Sequence, residues 1–117
     1  MAEESETPIF KKTYDLYKAF YALRTTIPKQ DKYTIWQKSE SLLIEILEGI
    51  LSASYKPKFE KTPILEKISL KLNILKMLIR LMKDVGAIDN KKYVTLQEPL
   101  DEIGRMLGGW IRSTTNK

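Results

Sequence analysis

Neither cysteine nor histidine occurs in the 117 residues. The first absence excludes a disulfide framework, a thiol nucleophile and any thiolate metal site. The second removes the commonest general base and metal ligand, including the Glu-x-x-His pairs of di-iron helical bundles. Long apolar runs are missing as well, and none approaches the roughly 20 residues of a membrane span. The N-terminus, MAEESETP, is acidic and polar, the wrong chemistry for a signal peptide, so the expected setting is reduced and cytoplasmic. Catalysis has few places left. Asp15, Glu45, Glu48, Asp101 and Glu102 fall on faces assigned to solvent, and the adjacent Asp101 and Glu102 point apart on a helix and make no dyad. No glycine-rich phosphate loop is present. No enzymatic activity, metal or cofactor is expected.

What is present is positive charge. Net charge is +5, but Glu3, Glu4 and Glu6 lie in an acidic leader, residues 1–7, expected to be disordered. Residues 7–117 hold 20 basic and 12 acidic side chains, a surplus of +8. Such a surplus favours polyanionic partners through phosphate neutralisation and counterion release. It serves solubility equally well.

At 43% hydrophobic and 30% charged, the rest is an ordinary globular composition, one domain over residues 8–114. The pattern predicts four helices and no strand. Thr7-Pro8 opens the first, which runs to about Thr26, where Ile27-Pro28-Lys29-Gln30 breaks it. Asp31 caps a second to about Ser54. Thr62-Pro63 repeats the opening signal for a third, which ends at Val85-Gly86 with the glycine just past its C-terminus. Asp89 caps a fourth, to about Ser113. Pro99 kinks it or marks a late start at Thr95, whose spacing to Glu98 fits a capping box. Short connections between amphipathic helices give an all-α, up-down-up-down four-helix bundle.

Two of these helices are too apolar for a solitary bundle. At about 100° per residue, the third places Ile64, Ile68, Leu75, Leu78 and Met82 on a core arc. Leu70, Ile74, Met77 and Leu81 form a second arc, and Lys76, Arg80 and Lys83 fill the polar sector. The first helix pairs a core stripe, Ile9, Leu16, Phe20, Leu23 and Ile27, with an aromatic one, Phe10, Tyr14, Tyr17 and Tyr21. Tyrosines snorkelling to water would explain the second stripe within one chain. Burial against other subunits explains both helices, and rings follow when the paired patches differ.

The fourth helix ends DEIGRMLGGWIRS. Each glycine costs on the order of 1 kcal/mol in a helix interior relative to alanine. Leu96, Leu100, Ile103, Leu107 and Trp110 make its core face, and Gly104 and Gly108 a smooth flank for close approach. Gly109 lies near Arg105 and Arg112, which share an outward face. The candidate interface with polyanions is therefore Lys76, Arg80, Lys83, Arg105 and Arg112, with Lys91 and Lys92 as outliers. No base-reading motif occurs, so binding is expected to tolerate any sequence.

Over residues 8–113 the chain resembles the accessory variability determinant (Avd) proteins of diversity-generating retroelements, within a wider group of four-helix-bundle proteins related to those encoded by ribosomal-RNA intervening sequences. The resemblance is carried by PIFKKTYDLYKAFYALR, PKQDKYTIWQK, KLNILKMLIRLMKD and, most specifically, DEIGRMLGGWIR. It implies a non-enzymatic partner of a retroelement reverse transcriptase, a basic homopentameric barrel that binds the enzyme and template RNA or DNA. Its role would be to support mutagenic cDNA synthesis and retrohoming. The alternative is an intervening-sequence type protein of the same fold without a reverse transcriptase partner.

Overall fold

The computed structural model describes residues 7–115. The acidic leader expected over residues 1–7 lies, Thr7 apart, outside the described residues. Four helices account for nearly all the rest: α1 (Pro8–Ala22), α2 (Gln37–Ser54), α3 (Lys58–Asp84) and α4 (Asn90–Thr115). Among the described residues there is no strand.

Pro8 starts α1 as the first helical residue, where its missing N–H leaves nothing unpaired. The helix stops at Ala22, earlier than the pattern predicts, and a 3-10 turn over Arg24–Thr26 leads to the buried Ile27. Asp31 does not cap the second helix. Pro28 occupies that position, and Lys29–Asp31 form a helical turn of their own. The chain then runs through a π-helical segment, Lys32–Trp36, before α2 begins. The widened turn re-phases the helix and brings Trp36 into the core, stacked on Phe20 with ring centroids 5.1 Å apart. The Trp36 Nε1 is buried without a hydrogen-bond partner among the described residues.

The third helix starts at Lys58, five residues before Pro63, not at it. Its cap is Pro57, whose carbonyl accepts the Glu60 N–H, and Pro63 sits inside the helix. A proline there frees the carbonyl of Phe59, which is on the exposed first turn. Thr62, expected as the cap, instead shares a 2.8 Å hydrogen bond with Thr114 of α4. At the other end of α3 the expectation holds. Gly86 has φ of 83°, the Ala87 N–H reaches back to the Met82 carbonyl, and the Gly86 N–H to that of Lys83. This is a Schellman closure, for which glycine carries no Cβ penalty. Asp89 then caps α4 through the Lys92 N–H at 2.8 Å. Thr95 starts no helix: its hydroxyl bonds the Lys91 carbonyl, and α4 runs on through Pro99.

The helices alternate in direction around a square. Pairs such as Tyr17 with Glu40, Lys71 with Glu45, Lys76 with Asp101 and Lys12 with Glu102 seat α1 between α2 and α4, and α3 between the same two. The core runs along the 47 Å axis. In α3 its stripe is Leu65, Ile68, Leu72, Leu75, Ile79 and Met82. Ile64 and Leu78, expected in it, are only half-buried, because α2 and α4 both press on α3 and turn the stripe toward the line between them. Leu23 and Trp110 are likewise half-buried. Thr13 is fully buried in α1, its hydroxyl satisfied by the Ile9 carbonyl at 2.8 Å.

Candidate polyanion and assembly surfaces

The bundle presents faces of different chemistry, set by which helix pair forms each. Along the α3–α4 seam, Lys76 lies level with Asp101, and Lys83 with Tyr93. Arg80 follows Lys76 by one turn of α3, and Arg105 and Arg112 follow Asp101 by one and three turns of α4, so helical spacing turns all three arginines toward the side of the seam on which Lys76 meets Asp101. Arg80, Arg105 and Arg112 are exposed and have no carboxylate partner among the described residues. The other two α3 candidates are partly neutralised: Lys76 is 3.5 Å from Asp101, and Lys83 is 3.8 Å from Asp84 and lies over the Tyr93 ring. Both pairs are solvated and weak, so a phosphate can displace them.

Lys91 and Lys92 stand elsewhere, by a hollow between α1 and α4 with Ala19, Leu23 and Leu96. Lys92 is paired with Asp89, 3.5 Å away, and Lys91 is exposed. A groove of about 900 Å³ continues along α1 and α4, with Leu16, Pro99 and Met106 among its lining residues and Lys11, Lys12, Asp15 and Glu98 beside them. Its rim charges are mixed. Lys11 and Lys18 draw the Asp15 carboxyl below its ordinary value, chiefly through the Lys11 hydrogen bond.

The α4 glycines have two different settings. A Cβ on Gly104 would meet Lys76 Nζ at 3.4 Å and Leu72 at 3.7 Å, so this glycine faces α3 within the chain. Gly108 and Gly109 meet only the Arg112 guanidinium, at 3.6 and 3.7 Å. That side chain folds back over the glycine pair, one turn toward the N-terminus, which holds its planar fork against bare backbone.

The two surplus stripes flank α2 on opposite sides. On α3, Leu70 is 60% exposed, Met77 54% and Leu81 38%, with Ile74 half-buried. On α1, Tyr14 and Tyr21 are exposed, whereas Phe10 and Tyr17 are half-buried. Phe10 stacks on Tyr14 and Tyr17 on Tyr21, and the Tyr17 hydroxyl donates to Glu40 at 2.8 Å. Burial, then the Glu40 carboxylate, raises the Tyr17 pKa above its ordinary 10.0, so it stays a donor. Ile44 and Leu51 of α2 are exposed as well, one and three helical turns beyond Glu40, the residue that meets Tyr17. They escaped sequence reading because α2 looks like one broad apolar helix, and only the α1 packing angle shows which residues are left outside.

Among the described residues no cluster of acids could hold a metal ion, and no helix is long and apolar enough to cross a membrane. No curated protein matches the chain. A match to the bAvd-like family does extend over residues 8–114, from the proline that opens α1 to the last turn of α4, and the chain belongs to that family.

Proposed function

We propose that this protein is the accessory subunit of a diversity-generating retroelement, a ring-like homo-oligomer that holds the reverse transcriptase on its template. Membership of an accessory, non-catalytic family supports this reading. So does the absence of any histidine or cysteine with which to do chemistry. The observation that carries it is that Arg80, Arg105 and Arg112 are exposed without a carboxylate partner among the described residues, at helical spacings from the Lys76–Asp101 contact that would line one side of the α3–α4 seam. Guanidinium forks engage paired phosphate oxygens without reading bases. Repetition of the seam around a ring, most simply the pentamer that the resemblance implies, would multiply those contacts into a continuous basic surface. The stripes on α1 and α3 differ in chemistry, one aromatic and one aliphatic, which is the condition for a heterologous, closing contact.

Co-expression with the reverse transcriptase of the same retroelement tests the proposal. The two proteins should co-purify with template RNA, and cDNA synthesis should fall when this subunit is omitted. Separate elution, with cDNA synthesis indifferent to the subunit, would return the protein to the intervening-sequence type without such a partner.

A further inference from the structure

The turn between α2 and α3 reads Tyr55-Lys56-Pro57-Lys58-Phe59-Glu60-Lys61, aromatics interleaved with lysines. Phe59 is 76% exposed, more than any other large hydrophobic side chain described, and Tyr55 is 54% exposed. Neither core packing nor either stripe accounts for a phenylalanine left in water. Lys56 and Lys58 are exposed and have no carboxylate partner among the described residues. Lys61 is different: its ammonium donates to the Ala53 carbonyl at 2.7 Å and lies over the Trp110 ring. That inward tether fixes the corner, so the outward groups start from a held backbone. The Thr62–Thr114 hydrogen bond joins the same corner to the end of α4, two residues beyond Arg112. The corner thus lies at the end of the basic seam. From Phe59 to Arg80, α3 extends about 32 Å at 1.5 Å per residue.

We propose that this corner is a stacking site for unpaired bases, with Phe59 as the platform and Lys56 and Lys58 holding the flanking phosphates. An exposed ring beside unpaired cations suits single strands of any sequence, because every base has a π-face and duplex bases are already stacked. A duplex could use the seam cations but not the ring. The corner would therefore give the protein a preference for single strands that the seam alone cannot supply. This inference rests on the polyanion-binding reading of the seam.

The test compares wild type, Phe59→Ala and Phe59→Trp on an unstructured single-stranded RNA and on an RNA duplex of equal length. Phe59→Ala should weaken single-strand binding roughly five- to hundredfold, the span expected for one lost stacked base, and leave duplex binding unchanged. Phe59→Trp should keep the affinity, and its fluorescence should be quenched by the single strand but not by the duplex. Equal losses on both ligands, or no loss on either, would overturn the stacking site while leaving the seam's role intact. A fall in native mass for Phe59→Ala would overturn it too, because the ring would then be a subunit contact. If wild type bound neither RNA, the seam reading would fall, and this one with it.

Discussion

A methyl group on Gly49 would stand 2.7 Å from both Cγ1 and Cδ1 of Ile68, a buried α3 side chain. Gly49→Ala should therefore lower stability by about 1–3 kcal/mol through overpacking, less up to about 1 kcal/mol of helix propensity. Gly104→Ala meets only ordinary contacts and should be neutral or stabilising; thermal melts of the two variants distinguish them. Nothing in the sequence marks Gly49, because its constraint comes from a residue 19 positions away across a helix pair. Gly86 and Asp89 were legible for the opposite reason: a helix stop and a helix cap are made with neighbours in sequence. The Asp89 carboxyl is held below its ordinary 3.8, chiefly by the Lys92 N–H. A depressed folded-state pKa adds stability above the ordinary carboxylate pKa and loses it as pH falls through the folded value. Asp89→Ala should thus reduce the melting temperature at neutral pH. The difference from wild type should shrink in acid below pH 3.8.

Within elements, the sequence pattern identified all four helices and the starts of α1 and α4, but not the starts of α2 and α3 or the rotation of α3. Thr62-Pro63 carries a strong opening signal, yet α3 begins at Lys58, since Lys61 and Thr62 find partners on α2 and α4 that no local pattern foretells. The core arc of α3 was placed slightly off because Leu65, Leu72 and Ile79 face the line between two neighbours. The π segment was not legible at all. Its cause is tertiary, the seating of Trp36 against Phe20. Trp36→Ala should cost about 3–5 kcal/mol, as deletion of a buried tryptophan does, and chemical denaturation measures it. If the loss were under 1 kcal/mol, the π turn would not be held by that stack.

For the whole molecule, the order of the helices sorts chemistry by face: aromatic on α1, aliphatic on α3, and basic along the α3–α4 seam. The stripes and the basic residues were legible as patterns on single helices. Which of them share a face was not, and Lys91 and Lys92 fall away from the seam. If the aliphatic stripe is a subunit contact, Met77→Glu should reduce the native mass toward the 13.6 kDa of one chain while helicity is kept. Light scattering coupled to size exclusion reads both proteins, and equal masses would remove Met77 from the interface. The central claim is that the seam neutralises phosphates. Its most direct test is the salt dependence of single-stranded RNA binding for wild type and for Arg105→Ala with Arg112→Ala. Each phosphate contact contributes a slope of about −0.7 in log affinity against log salt. The double variant should bind more weakly, with a slope shallower by about 1.4 for every subunit engaged, at unchanged native mass. An unchanged affinity and slope would contradict the account.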